Sequence, residues 1–299
     1  MNAKFEAVAL TGNWRDPRVV ESIETLAQHL VSGGLRTTVG DGYRGNGLPA
    51  AVRTRPEQKL AEDTSLMIAV GGDGTMLYAA RRASANGVPL LGINRGRLGF
   101  LADVSPADML EAVDPILAGD YDSERRMLLQ AQIRGQAGVT ASGLALNDLV
   151  IKRLDSGRMF EFETYVDGRY VNTHSGDGFI VATPTGSTAY ALSCGGPIVT
   201  PGLDAIVLTP ICPHTLSDRP IVIPGRSVTE IRLREKDGDQ AAVSCDGEVI
   251  GQLAAGDVLQ VAAATATVEL IHPVGYDYYQ ILRGKLHWGR GNRAVTPSS

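Results

Sequence analysis

Three clusters of residues in this chain have the types and spacing that chemistry needs. The first is Gly71-Gly72-Asp73-Gly74-Thr75, directly after the apolar run Leu66 to Val70. Glycines without a Cβ let the backbone turn tightly and approach a ligand. A helix opening at Thr75 would aim its unpaired N–H groups at the same spot, making an anion site. The carboxylate of Asp73 is the odd member there, because it repels phosphate. Its presence suits a group that accepts a proton or holds a metal; the plainer alternative is an aspartate that caps the helix. The second cluster is Asn147-Asp148, inside the apolar stretch Ala145 to Val150. Successive strand residues face opposite sides, so the two can share one ligand only at a bulge or a strand end. Otherwise Asn147 is a turn residue and Asp148 a surface ion pair.

The third cluster, Thr183-Pro184-Thr185-Gly186-Ser187-Thr188-Ala189-Tyr190-Ala191-Leu192-Ser193-Cys194-Gly195-Gly196-Pro197, is less ordinary. Small hydroxyl residues surround a glycine, a short helical turn is expected from Ser187 or Thr188, and Gly195-Gly196-Pro197 ends it. That supplies N–H and O–H donors around a closely approaching backbone, with Tyr190 as a stacking face. Just upstream, His174-Ser175-Gly176-Asp177-Gly178 adds a loop carboxylate. A compact linker and a plain turn are the ordinary readings of these two stretches. The chain has no G-x-S-x-G, no Walker A sequence and no kinase H-R-D set.

The elements that must position these clusters change in kind near Arg125. Before it, strands and helices alternate: Phe5 to Leu10 reads as a strand, and Asp16-Pro17 opens a helix with Val19, Ile23, Leu26 and Leu30 on one face. Leu35 to Val39, Leu66 to Val70 and Pro89 to Ile93 are further strands. Gly40 to Arg55 reads as a loop, and Ser105-Pro106 as the start of a helix ending near Gly119. Such alternation predicts a parallel sheet flanked by helices, with ligands at the carboxyl ends of its strands. After Arg125 the runs Met127 to Arg134, Val139 to Arg153, Phe160 to Tyr170, Gly178 to Ala182 and Ser227 to Arg234 are β-rich. The dipeptides Asp167-Gly168, Asp237-Gly238 and Asp246-Gly247 mark hairpins. The expected fold is therefore an α/β domain over 1–125 and an all-β layered domain over 126–275, and the tail from Arg290 to Ser299 reads as disordered.

Composition bounds the function. A length of 299 residues suits two domains, and 43% hydrophobic with 20% charged residues is ordinary for a soluble globular chain. A net charge of −5 argues against a nucleic-acid footprint. Cys194, Cys212 and Cys245 lie far apart without C-x-x-C spacing, and the histidines lack metal-ligand spacing. This fits a reducing compartment and neither a disulfide framework nor a structural zinc site. With no apolar leader and no run long enough to cross a membrane, a cytoplasmic protein without a membrane partner is expected.

Gly71-Gly72-Asp73-Gly74-Thr75, Asn147-Asp148 and Thr183 to Tyr190, in that order, resemble the NAD kinase family. Gly92-Ile93-Asn94 with Gly96-Arg97-Leu98-Gly99-Phe100-Leu101, and Lys285-Leu286-His287-Trp288, resemble further segments of it. The glycine–aspartate turn alone is shared with diacylglycerol and sphingosine kinases and, in a variant, with phosphofructokinases, so a lipid or sugar kinase is the rival enzyme. A dinucleotide sensor without turnover is the non-catalytic rival. The resemblance implies transfer of the γ-phosphoryl of ATP to the adenosine-ribose 2′-hydroxyl of NAD, with Mg²⁺ or Mn²⁺ entering alongside ATP. It implies Asp73 as the base and Gly74 as a substrate-binding residue beside it, with metal binding by Asp73 as the competing role. Asn147 and Asp148 would hold ribose hydroxyls, while Thr188, Ala189, Tyr190, Ala191, Leu192 and Ser193 line the dinucleotide pocket with Asp177. Arg158 matches another ligand-contacting position. The family often has arginine where this chain has Ser175, beside which His174 could substitute, and Gly247 stands where some relatives carry a polar side chain. The resemblance further implies that 276–299 returns to the first domain, and that the protein is a homo-oligomer, a dimer or tetramer.

Overall fold

Strand formation in the first half follows from short, uninterrupted apolar runs. In the computed structural model, which describes residues 4–95, 99–154, 160–234 and 240–288, the chain opens with β1 (Ala7–Gly12), α1 (Pro17–Ser32), β2 (Arg36–Gly40), β3 (Arg53–Arg55) and β4 (Leu66–Gly71). It continues through α2 (Asp73–Ala85), β5 (Leu90–Asn94) and α3 (Met109–Ala118). β6 (Asp122–Gly135), β7 (Gly138–Ala145), β8 (Asp148–Arg153), β9 (Phe160–Val166), β10 (Arg169–Gly176) and β11 (Gly178–Ala182) follow. After the short helix α4 (Tyr190–Ser193) come β12 (Ala205–Ile211), β13 (Ile221–Pro224), β14 (Thr229–Leu233), β15 (Gln240–Cys245), β16 (Glu248–Ala254), β17 (Val258–His272) and α5 (Tyr278–Leu286). Contacts divide the chain into two units, 1–124 with 268–299 and 125–267.

In the first unit β3, β2, β1, β4 and β5 lie side by side in that order, all parallel. The end of β17 adds to β5, with Leu270 opposite Leu90 and Ile271 opposite Leu91. Every residue of β4 is buried, as a strand covered on both faces requires. Helix α1 has the expected cap, Asp16, whose side chain accepts from the Arg18 N–H, and proline at its first position. Its stripe of Val19, Ile23, Leu26 and Leu30 is buried, each side chain stabilising by roughly 1.5–3 kcal/mol. The strand order reverses between β1 and β4, so the crevice at their carboxyl ends is the topological switch point where ligands collect in such sheets. The Asp73 turn sits there.

Two expectations for this unit are corrected. Arg53–Arg55, inside the expected loop, pairs with β2 as an edge strand; being charged and short, it has no apolar pattern to reveal it. Ser105-Pro106 opens a turn rather than the helix itself. The Ser105 hydroxyl accepts from the Asp108 N–H, and α3 begins at Met109. It ends at Gly119, as expected, with a left-handed φ of +98° there.

The second unit is antiparallel. One sheet runs β13-β12-β11-β8-β15-β16. A second layer has β10-β9-β14-β17 and the β6–β7 hairpin. One apolar cluster, with Leu149, Ile151, Phe162, Phe179, Val181, Ile206, Val243 and Leu259 among its members, fills the space between the layers. Asp167-Gly168 and Asp246-Gly247 form their hairpin turns at positive φ, 51° and 74° in the first and 49° and 82° in the second. Asp237-Gly238 and the tail from Arg290 to Ser299 lie outside the described residues.

Candidate active site

The Asp73 carboxylate does not cap its helix. Gly72 is the N-cap residue and the aspartate is the first helical residue, with no side-chain bond to its own helix N-terminus. Its two oxygens instead accept N–H bonds from the loop after β5: Oδ2 from Phe100 at 3.2 Å and Oδ1 from Leu101 at 3.1 Å. Gly99 makes this approach possible, since a Cβ at that position would lie 2.3 Å from Oδ1. Asp73 is half-buried, and Gly72 and Gly74 flanking it are exposed. A carboxylate fixed in this way keeps lone pairs free to accept a proton, while the exposed helix N-terminus offers N–H donors to phosphate oxygens.

In the second unit β7 ends at Ala145 and β8 begins at Asp148, so Asn147 and Asp148 lie at the strand junction that a shared ligand demands. The junction is held by Asp246 of the β15–β16 turn. Its Oδ2 accepts from the Leu146 N–H at 2.9 Å, and its Oδ1 from the Asn147 N–H at 2.8 Å and the Asp148 N–H at 3.3 Å. The glycine-rich stretch docks on the same junction. Thr183 donates its N–H to the Asn147 carbonyl at 2.9 Å and its hydroxyl to the Leu146 carbonyl at 2.5 Å. Gly186 passes so close that a Cβ would lie 2.0 Å from the Asn147 carbonyl oxygen. The Ser187 hydroxyl ties Pro184 to Val199, and the Thr188 hydroxyl donates to the Thr185 carbonyl. Beneath them the buried Arg126 donates to the Thr185 hydroxyl at 3.0 Å. Residues 185–188 form a single 3-10 turn before α4.

Asp148 is 6% exposed, and its carboxyl is pushed up to about 7. Burial is the main cause and the neighbouring Asp246 carboxylate the second. The Tyr190 N–H and the Lys152 ammonium pull the other way without prevailing. A group poised there exchanges its proton near neutrality and can serve a ligand hydroxyl as donor or acceptor.

Tyr190 and Asp177 line a cleft of about 380 Å³ with Lys152, Arg153, Leu154, Ile211 and Cys212. The Lys152 ammonium lies 4.6 Å from the centre of the Tyr190 ring, and Arg153 pairs with Asp177 at 3.8 Å. Ala189 and Leu192 are half-buried and Ser193 is exposed, whereas Ala191 faces the core and offers a ligand only its backbone. Gly247, beside Asp246, completes the hairpin turn.

His174 has a different setting from a phosphate contact. It is 5% exposed, its Nδ1 bonds the Asp218 carboxylate at 2.6 Å and its Nε2 bonds the Thr164 hydroxyl at 2.9 Å. Both ring nitrogens are therefore engaged inside the fold, and the ring stacks on Phe162. Ser175, on the opposite face of β10, is half-buried and accepts the His214 N–H through its carbonyl. Arg158 lies outside the described residues.

Lys152 and Arg126 were not singled out by sequence, and Asp246 was read only as a hairpin residue. An Asp-Gly pair between strands is the ordinary hairpin signal, and nothing local tells a turn aspartate from one that also clamps a distant junction. Asp73 and Gly74 belong to the first unit, and Asn147, Asp148, His174, Ser175, Asp177, Thr188 to Ser193 and Gly247 to the second.

Residues 14–121 match the family model described as ATP-NAD kinase N-terminal domain, and residues 146–273 that described as ATP-NAD kinase C-terminal domain. The NAD kinase of Nitrosococcus oceani is 45% identical over 293 residues, covering 97% of this chain and 99% of the relative. That of Ectopseudomonas mendocina is 45% identical over 290 residues, covering 96% and 97%. Among solved structures, a yeast NADH kinase complexed with NADH superposes with a TM-score of 0.87 at 24% identity, covering 99% of this chain and 91% of its own. An NAD kinase from Archaeoglobus fulgidus in complex with ATP superposes at 0.71 and 24% identity, covering 94% and 98%. At that identity the likeness speaks for the fold. Both domain models and two near-full-length relatives agree with the motifs around Asp73, Asp148 and Tyr190, and the chain belongs to the NAD kinase family.

Proposed function

We propose that this protein transfers the γ-phosphoryl of ATP to the adenosine-ribose 2′-hydroxyl of NAD, giving NADP. The observation that carries the reading is family membership over nearly the whole chain, joined to intact copies of all three clusters. Asp73 accepts the proton of the attacking hydroxyl as its bond to phosphorus forms, and the bond to the ADP oxygen breaks. Phosphoryl transfer depends mainly on positioning and charge neutralisation, so a base that receives its proton late is sufficient. The N–H groups from Gly74 onward receive phosphate oxygens. Asn147 and Asp148 hold ribose hydroxyls, and Thr188, Ala189, Tyr190, Ala191, Leu192 and Ser193 line the dinucleotide pocket with Asp177 and Gly247. Arg158 keeps its family role as a ligand contact. His174 supports β10 from within, which leaves the position of Ser175 without the usual cation.

Among the described residues no group of three or more His, Cys, Asp or Glu could hold a metal ion. A single carboxylate beside a phosphate cradle fits a hard divalent ion, Mg²⁺ or Mn²⁺, that arrives on ATP and keeps most of its ligands from phosphate and water. When bound, that ion neutralises charge on the transferring phosphate. We further propose a cytoplasmic homo-oligomer, dimer or tetramer, acting without a nucleic-acid or membrane partner. No helix among the described residues is long and apolar enough to cross a membrane.

The test is purified protein with NAD, ATP and Mg²⁺, with NADP read by an NADP-dependent dehydrogenase. Diacylglycerol, sphingosine and fructose 6-phosphate serve as competing acceptors. NADP formation is expected, and turnover of a lipid or sugar without it would overturn the reading. Sedimentation velocity checks the oligomer.

A further inference from the structure

The loop that grips Asp73 has an anchor of its own. The loop over residues 99–104 returns to β5. At its apex the Gly99 N–H bonds the Ala102 carbonyl, and the Phe100 and Leu101 N–H groups hold the carboxylate. At its base Val104 bridges in parallel to Ile93 and accepts the Asn94 N–H at 2.8 Å. Between apex and base stands Asp103, whose Oδ2 lies 3.0 Å from Nδ1 of His272. His272 is the last residue of β17, directly after the pairing of that strand with β5, and is 2% exposed. Its Nε2 lies 3.1 Å from Oε1 of Glu124, and Tyr276 covers the ring at 3.7 Å between centroids.

A ring clasped by carboxylates at both nitrogens donates from both, which only the imidazolium can do. Burial, the largest influence, pulls His272 down, yet its bonds to Asp103 and Glu124 outweigh it and the group lies above the usual histidine range. His272 makes its link to the Asp73 turn through Asp103 of the 99–104 loop.

We propose that His272 is a positioning residue for the phosphoryl transfer: by holding Asp103 it fixes the 99–104 loop, whose N–H groups orient the Asp73 carboxylate. The proposal rests on the reading of Asp73 as the base. It predicts an asymmetry between two amide replacements. In His272→Asn the amide stands where Nδ1 was and still donates to Asp103. In His272→Gln it stands where Nε2 was, reaching Glu124 and abandoning Asp103.

The experiment measures kcat and KM for both variants, with amide hydrogen exchange at Phe100 and Leu101. For His272→Gln, kcat should fall about tenfold with each KM within about threefold, because misplacement of the base by under an ångström acts on the chemical step. Exchange at both amides should quicken by about tenfold as the loop opens locally. His272→Asn should stay within about threefold of the parent in both readouts. Should either variant fail to fold, Asp103→Ala, which removes the loop's side of the contact, should reproduce the His272→Gln pattern. Equal damage in both amide variants, or quickened exchange with unchanged kcat, would overturn the proposal. Asp73→Asn, measured beside them, separates the two claims. If it abolishes turnover while His272→Gln does not lower it, the anchor fails and the base stands. If Asp73→Asn turns over normally, both fail.

Discussion

Asp73 and Asp148 are the same residue type in opposite surroundings. Asp73 is half-buried, with each oxygen bonded to a main-chain N–H and glycines exposed around it. Asp148 is buried, has a second carboxylate beside it, and is pushed up to about 7. The first arrangement fixes a carboxylate by main-chain bonds at a partly exposed turn. The second makes a carboxyl whose charge depends on what enters the pocket. Environment, rather than residue type, sets the two apart.

The comparison can be broken most forcefully at Asp73. Asp73→Asn keeps the shape of the turn and removes the basicity, so kcat should fall by about 10²–10⁴, or roughly 3–5 kcal/mol of barrier. Calorimetry should show NAD still binding. A Mg²⁺ titration of the rate distinguishes a metal ligand, whose loss high metal would partly rescue.

The next effect is on stability and belongs to Asp148 alone. Its folded-state value lies above the ordinary carboxylate value, so below about pH 4 the group is protonated in both states and carries no penalty. As pH rises toward 7 the unfolded chain ionises first and stability is lost, by up to about 4 kcal/mol above pH 7. Asp148→Asn should therefore raise the urea midpoint at pH 8 and leave it nearly unchanged at pH 4. Equal shifts at both pH values would refute the raised carboxyl.

Asp148→Ala sharpens the contrast in kinetics. Losing a charge-assisted hydrogen bond to ribose should lower kcat/KM about ten- to hundredfold, about 1.5–3 kcal/mol, in a folded enzyme. A folded variant with parental kinetics would make Asp148 an ordinary buried acid. The smallest expected effect is at Ser175. With His174 spent on Asp218 and Thr164, Ser175→Arg should restore a cation and lower the KM of one phosphate-bearing substrate by about threefold. Unchanged KM values for NAD and ATP would mean that the contact is made elsewhere.

The local signals in this sequence are strong wherever structure is decided by neighbours along the chain. Leu66 to Val70 had to be a buried strand, Asp16-Pro17 had to open a helix, and the Asp167 and Asp246 turns had to be hairpins, because period, cap and turn chemistry act over a few residues. The same locality made Asp73, Asn147-Asp148 and the Thr183 to Tyr190 stretch stand out as chemistry. What only the tertiary structure decided are relations between residues far apart in sequence. Asp246 clamps a strand junction about a hundred residues away, Gly186 slides against the Asn147 carbonyl, and His174 turns inward to Asp218. His272 reaches Asp103 and Glu124 from the far end of the chain. Arg53–Arg55 became a strand only because β2 offered an open edge. Each depends on desolvation and on hydrogen bonds whose partners come together only when sheets pack, and composition and spacing carry no record of that.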